Sequence, residues 1–374
     1  MNTAIIVKKL GGSSVSSPDK IKAIAKQIAT DYFDKKNILL VVSAMGNTTN
    51  DLSHLAYQIA SVPNRRELDM LLSTGERVAC ALMSMALNDL GVPAISFTGS
   101  QAGILTDNTH NNARIQDVKP IRVQEEFYKN KVVVLAGFQG VDPTSKDITT
   151  LGRGGTDTTA IALSHFFKAE KCEMLKDVDG VFSADPKIVK KAKQIASMSY
   201  DHLIEMTYWG AKVLHYRAVE LAKRLEVPIY IGLAHGKGSG TIIQGDNKMF
   251  ESIKFLSINS HQQVFKIEFK KMSLDESLET FHSFLKQHKL SWPQILANDY
   301  DSNKSQIYMS GSQETLTAIK NLSTDTKDFK IVSSDLSSVA ATCEGNVGSN
   351  LLEIFSKQLR KNKITAEKTI VTAL

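Results

Sequence analysis

The sequence predicts an α/β protein: a three-layer αβα domain on a mainly parallel sheet, then a smaller α+β region. Three observations carry this. First, apolar runs of strand length, such as Ile38 to Val42, alternate with stretches of helical periodicity up to about residue 245. That alternation indicates βαβ units whose strands are buried on both faces. Second, residues suited to ligands follow the strands (Lys9, Ser43, Gly137 and Asp177), at the carboxyl ends where open α/β sheets bind ligands. Third, the pattern changes after His235-Gly236-Lys237-Gly238-Ser239-Gly240, a natural linker. The expected division is 1–245 and 246–374.

Each element has its own warrant. Ala4 to Val7 is a short strand interrupted by Lys8 and Lys9, and does not read as a signal peptide. Ser17 before Pro18 opens a helix with Ile21, Ile24, Ala25 and Ile28 on one face. Ile38 to Val42 is a buried strand, and a second helix begins near Asp51. Leu68 to Leu90 holds a helical pattern interrupted by Ser73-Thr74-Gly75-Glu76. Pro93 to Phe97 and Lys131 to Leu135 read as strands. In Leu151-Gly152-Arg153-Gly154-Gly155-Thr156-Asp157, a glycine loop passes into a helix that Thr156 or Asp157 can cap. Glu173 to Val178 is a strand, Tyr200 starts a helix, and Pro228 to Leu233 is the last strand of the block.

Beyond the linker, Val264 to Phe269, Leu274 to His288, Gln294 to Ala297, Gln306 to Met309, Glu314 to Leu322 and Ile331 to Ser333 read as one βαββαβ unit (262–334). Phe255 to Ile258, Val339 to Cys343, a helix from Gly348 to Arg360 and a strand from Thr369 to Ala373 supply part of a second (250–260 with 335–374).

Composition removes several function classes. With 374 residues the chain can build two or three real cores. Its net charge of +6 is scattered and not interleaved with stacking aromatics, so it suits anionic substrates better than nucleic acid. Cys80, Cys172 and Cys343 are isolated thiols that fit a reducing, cytoplasmic compartment. No histidine spacing marks a metal site, and no apolar run approaches a membrane span.

The turns suggest phosphate chemistry. No P-loop is present, so the phosphate candidates are Gly11-Gly12, Gly154-Gly155 and lysines, with Lys9 at the end of the first strand. Arg153 offers a planar fork for a carboxylate, or a structural salt bridge. Glu76 is either a solvated turn carboxylate or an acceptor for an ammonium group. One acid and one guanidinium in one cleft would recognise an amino acid's head group.

Together, Lys9-Leu10-Gly11-Gly12-Ser13-Ser14, Val42-Ser43-Ala44-Met45-Gly46-Asn47-Thr48-Thr49, Ser73-Thr74-Gly75-Glu76, Gly137-Phe138-Gln139-Gly140, Gly152-Arg153-Gly154-Gly155-Thr156-Asp157-Thr158-Thr159, Asp177-Val178-Asp179-Gly180-Val181 and Gly210-Ala211-Lys212-Val213-Leu214-His215 resemble the aspartokinases of the amino-acid kinase family. The C-terminal units resemble, more loosely, that family's paired ACT regulatory domains, the second incomplete.

The resemblance implies transfer of the ATP γ-phosphoryl group to the β-carboxylate of L-aspartate with Mg²⁺, the first step toward lysine, threonine and methionine. It implies Lys9 and Asp157 as catalytic, the latter orienting a lysine or linking to the metal. Ser43, Thr49, Glu76 and Arg153 would hold aspartate. Lys9, Gly11, Gly12, Ser13, Lys176, Asp177, Phe182, Lys187, Lys212 and Val213 would bind nucleotide. Mg²⁺ would be carried mainly by ATP, and no protein ligand is assigned beyond that alternative for Asp157. It further implies a homodimer or higher homo-oligomer, and for the C-terminal region either lysine or threonine as effector or a purely structural, dimer-forming role.

Departures from the family pattern are Lys176 for Thr or Ser, Phe182 for Tyr and Lys187 for Arg. Lys176 either adds phosphate affinity or faces solvent, and solvent is the expectation. Lys176 and Lys187 would also suit a non-catalytic amino-acid sensor. Another carboxylate-phosphorylating amino-acid kinase is the enzymatic rival.

Overall fold

The computed structural model of the chain describes residues 5–34, 37–236, 238–245, 254–288, 290, 292–301, 304–311, 313–324, 326–344 and 348–370. They fall in two compact units, Met1–Met249 and Phe250–Leu374.

The first unit begins with β1 (Ile5–Leu10), α1 (Pro18–Phe33), β2 (Asn37–Val42), α2 (Thr48–Ile59), α3 (Arg65–Leu72) and α4 (Thr74–Asp89). It continues through β3 (Ala94–Phe97), β4 (Ile104–Thr106), β5 (Ile115–Val118), α5 (Ile121–Tyr128), β6 (Val132–Ala136), β7 (Gln139–Val141) and β8 (Ile148–Thr150). Then come α6 (Gly155–Phe166), β9 (Cys172–Lys176), β10 (Val181–Phe182), β11 (Gln194–Ile195), β12 (Ser197–Ser199), α7 (Tyr200–Tyr208), α8 (Tyr216–Arg224), β13 (Ile229–Leu233) and β14 (Thr241–Gln244).

Among the described residues the main sheet has eight strands, ordered β12-β14-β13-β9-β1-β2-β6-β3. Its central pairs are parallel, and β14 runs antiparallel to β13. Side-chain alternation explains the three layers. Ile38, Leu40 and Val42 of β2 pack with Ile24 and Ile28 of α1 and Met83 and Leu87 of α4. Leu39 and Val41 pack on the other face with Ile161 and Leu163 of α6 and Val219 of α8. Each such aliphatic side chain contributes roughly 1.5–3 kcal/mol on burial. Ser17 caps α1 by accepting from the Lys20 amide, with Pro18 in the first turn.

The second unit holds β15 (Lys254–Lys270), α9 (Leu274–Gln287), β16 (Gln294–Asp301), β17 (Lys304–Ser310), α10 (Gln313–Leu322), β18 (Phe329–Glu344) and α11 (Gly348–Lys361). Its antiparallel sheet runs β16-β17-β15-β18, over a core of Phe265, Ile267, Phe269, Phe281, Leu285 and Ile319. Ser273 and Glu276 form a reciprocal capping box at the start of α9.

Several expectations are corrected. Lys8 and Lys9 do not interrupt the first strand: β1 runs through both, because each finds a carboxylate partner. The helix after β2 starts at Thr48, and only Ser73 breaks the α3–α4 run. That run, Arg65–Asp89, is long and apolar enough to cross a membrane by length and composition, contrary to the reading of the sequence, yet half of its most apolar window is buried within the unit. Pro228 to Leu233 is not the last strand, since β14 follows.

The two C-terminal units share one sheet, because Phe255 to Ile258 and Val264 to Phe269 are one strand, paired along its length with β18 through several register shifts. Neither strand carries Gly or Pro to stop it. The strand expected at Thr369 to Ala373 is irregular at Thr369 and Ile370, and its remainder lies outside the described residues, as does Lys237 of the linker. Cys80 and Cys172 are free and buried.

Candidate active site

Strand parity builds the site. Successive β1 side chains point to opposite faces. Lys8 turns toward α1, bridging Asp31 (2.8 Å) and Glu173 (2.9 Å). Lys9 turns toward α6, where its Nζ lies 2.6 Å from Asp157 Oδ1. Burial alone would raise the Asp157 carboxyl, but Lys9 and then Lys176 outweigh it and hold it below the ordinary range.

Asp157 lies in the first turn of α6, whose cap is Gly154 in the left-handed conformation (φ 70°). This corrects the expectation that Thr156 or Asp157 caps the helix. No side chain caps it, and Thr158 and Thr159 turn their hydroxyls back to the carbonyls of Gly154 and Gly155. A side chain on Gly154 would run into His215. The turn thus sets the helix start against α8's entry.

Glycines let the other loops close in. The Gly12 carbonyl accepts from the Gly46 amide at 3.0 Å, and a Cβ on Gly12 would stand 2.7 Å from the Ala44 carbonyl oxygen. The Ser43 amide donates to the Leu10 carbonyl (3.1 Å), and the Gly11 amide to that of Leu175 (3.5 Å). A Cβ on Gly75 would meet that of Ala44 at 2.8 Å. Glu76, only 3% exposed, accepts from the Ala44 amide at 3.1 Å through Oε1, while its buried Oε2 has no partner. Desolvation pushes this carboxyl up to about 7, against the Ala44 hydrogen bond and the field of Lys9. The solvated-turn alternative for Glu76 is therefore overturned.

Arg153 is exposed and, among the described residues, has no hydrogen-bond or ion-pair partner, which removes the structural salt bridge as its role. With burial, its field lowers the His215 pKa, and Asp157 acts oppositely on the same ring. Lys9 and Asp157 are in direct contact, whereas Arg153 acts on His215, and Lys9 on Glu76, through the field alone. Ser43 and Thr49, both half-buried, flank the loop that meets Glu76.

The remaining predicted nucleotide residues gather less closely. Lys176 ends β9 and is half-buried, so the solvent-facing expectation is corrected. Asp177 is exposed beside it. Ser13 is exposed, its carbonyl held by the Lys20 ammonium at 2.8 Å. Phe182 (half-buried), Lys187 and Lys212 (exposed) and Val213 (half-buried) make no hydrogen bond or ion pair to Lys9 or Asp157 among the described residues. Nor does any group of three His, Cys, Asp or Glu side chains gather there as metal ligands.

Sequence reasoning passed over Asp69. Fully buried in α3, it bonds His110 Nδ1 (2.6 Å), the Asn111 amide (3.1 Å) and side chain (2.5 Å), and the Thr150 hydroxyl. Arg217 completes the clamp, donating to the Leu151 (2.6 Å) and Ala113 (2.7 Å) carbonyls. Both brace the segment entering Gly152. The available signal was an acid beside the apolar residues Met70, Leu71 and Leu72, the same kind that marked Glu76.

Cations, loop amides and one orphaned carboxylate oxygen at the carboxyl ends of neighbouring strands are the groups that could hold a polyanion beside an amino acid. The model of the amino acid kinase family matches residues 4–232. The chain is 47% identical over 245 residues to the aspartokinase of Mycobacterium tuberculosis (strain ATCC 25618 / H37Rv), covering 66% of this chain and 58% of that one. To the aspartokinase of Bacillus sp. (strain MGA3) it is 39% identical over 322 residues, covering 85% and 78%. The chain thus spans 58% of the length of the first curated relatives it matches. Its fold is similar to that of E. coli aspartokinase III in complex with aspartate and ADP, with a TM-score of 0.74 at 20% identity, covering 94% of this chain and 91% of that one.

Proposed function

The chain belongs to the amino acid kinase family, and within it to the aspartokinases, and from that premise we propose that it phosphorylates L-aspartate. An oxygen of the aspartate β-carboxylate attacks the γ-phosphorus of ATP. The bond from that phosphorus to the β,γ-bridging oxygen breaks, and ADP leaves with the electron pair. The products are 4-phospho-L-aspartate and ADP. No proton moves, because a carboxyl with a pKa of about 4 is already ionised at neutral pH.

The observation that carries this reading is the buried Lys9–Asp157 pair beside the unpaired Glu76 oxygen. A carboxylate approaching ATP meets like charge, so the protein must supply cations and alignment more than covalent chemistry. Lys9, oriented by Asp157, holds the terminal phosphates with the Gly12 and Ser13 amides, in the turn that Gly11 opens, and with the amides of the α6 N-terminus. Arg153 takes the aspartate α-carboxylate and Glu76 its ammonium, with Ser43 and Thr49 lining the same pocket. Asp177, Phe182, Lys187, Lys212 and Val213 form the nucleotide side. This donor set suits phosphates rather than a metal, so Mg²⁺ would be held chiefly through ATP, where it would neutralise phosphate charge.

The second unit has the βαββαβ order of an ACT-like regulatory region, with lysine or threonine as its effector and homodimer formation as its second role. The reaction would open the route to lysine, threonine and methionine, and two buried thiols suit a cytoplasmic setting.

The test is aspartyl-hydroxamate formation with ATP, Mg²⁺ and hydroxylamine. Product from aspartate supports the reading, whereas product from glutamate alone, or effector binding without turnover, overturns it.

A further inference from the structure

A second lysine stands beside Lys9 without a role in the scheme above. Lys176 is the last residue of β9, which pairs in parallel with β1. On β9, Cys172 and Met174 point to the α6 side of the sheet. The two-residue period carries Lys176 to that side as well. Lys9 is opposite Met174, so Lys176 lies one same-face step beyond it, toward the glycine turn. Leu175, just before it, receives the Gly11 amide.

The two lysines differ in what they touch. Lys9 is committed to Asp157. Lys176 is half-buried; its carbonyl accepts from the Ala234 amide at 2.6 Å, but its ammonium, among the described residues, makes no hydrogen bond or ion pair. The charged groups facing it are Lys9 from β1, Asp157 from α6 and its neighbour Asp177. Burial, then Lys9, lowers its ammonium to about 8. Half-burying an ammonium without a partner is costly, and a second cation beside it adds to that cost. Such a group is relieved by an anion.

We propose that Lys176 is a further phosphate-binding residue, gripping the nucleotide's terminal phosphates from the β9 side while Lys9 grips them from β1. The identity of the anion rests on the kinase reading above. A Thr at this position would offer one hydroxyl and no charge. A bound phosphate favours the protonated ammonium, so nucleotide affinity should fall as pH rises through about 8.

Calorimetry with ATP, ADP and AMP at pH 7 and pH 9 tests this on wild type, Lys176→Met and Lys176→Arg, with hydroxamate turnover measured alongside. Wild-type ATP affinity should drop up to about tenfold between the two pH values. Lys176→Met should bind ATP about tenfold more weakly at pH 7, keep its AMP affinity and lose the pH dependence. Lys176→Arg should keep the affinity and lose the pH dependence. Unchanged ATP affinity in Lys176→Met, with wild-type turnover intact, overturns this proposal alone. Equal losses for ATP and AMP overturn it too, marking a structural role. A wild-type protein that neither binds nucleotide nor turns over aspartate overturns the kinase reading as well.

Discussion

The Lys9 ammonium and the Asp157 carboxylate stand 2.6 Å apart, each side chain more than nine-tenths buried, one from β1 and the other from the first turn of α6. Removing one partner of such a pair strands the other charge, which typically costs about 3–5 kcal/mol. Asp157→Asn should therefore lower unfolding stability by about 3 kcal/mol in urea titration. It should also lower turnover by about 100-fold or more, since Lys9 loses its orientation. The double substitution Lys9→Met, Asp157→Leu should recover stability but not turnover. Recovered turnover would remove the pair from the reaction.

Glu76 gives a pH prediction with a definite sign. Its folded-state pKa is raised to about 7, so the ligand-free protein loses stability as pH climbs from the ordinary carboxyl range to about 7. The loss is on the order of 3 kcal/mol, and Glu76→Gln should abolish it. Binding has the opposite slope. An ammonium needs the ionised carboxylate, so aspartate affinity should rise about tenfold between pH 6 and pH 8 in wild type and stay flat in Glu76→Gln. Calorimetry and thermal melts at both pH values separate the two effects.

Asp69 is predicted to act at a distance. Asp69→Asn would turn an N–H₂ toward donors that now meet an oxygen, with a cost of about 1–3 kcal/mol. Because Thr150 leads directly into Leu151-Gly152-Arg153, the loosened loop should raise KM for aspartate severalfold and leave KM for ATP nearly unchanged. Equal changes in both would show only general destabilisation.

Gly154→Ala tests the helix start. The left-handed φ of 70° costs an L-residue about 1–2 kcal/mol, and the added methyl displaces His215. A lower melting temperature with reduced turnover is expected. Gly91→Ala, also at positive φ (75°) but with nothing near its Cβ, should melt lower without a comparable loss of turnover.

What the sequence disclosed follows from how strong each local signal is. β2 was legible because five apolar residues in a row fit little except a strand buried on both faces. The turns at Gly11-Gly12, Ser43 and Gly152–Gly155 were legible because chemistry at strand ends carries unusual residues. The small sheet β5-β4-β7-β8 was not, since strands of three or four residues are too short to show a period. Lys8 and Lys9 looked like an interruption because a lysine's burial depends on partners far along the chain: Asp31, Glu173 and Asp157. The same holds for Lys176 and Asp69, whose surroundings exist only once strands and loops are assembled. Local propensity, likewise, could not foresee that β15 and β18 would run on through polar residues, because pairing decided it.

Adjacent lysines facing opposite layers make β1 intolerant of a frame slip. Deleting one residue ahead of Lys8 keeps both lysines on the strand. Yet it would turn Lys9 toward Asp31 and Glu173 and leave Asp157 facing a leucine. The strand's alignment with its neighbours, as much as any single side chain, decides which amine meets the reacting anions.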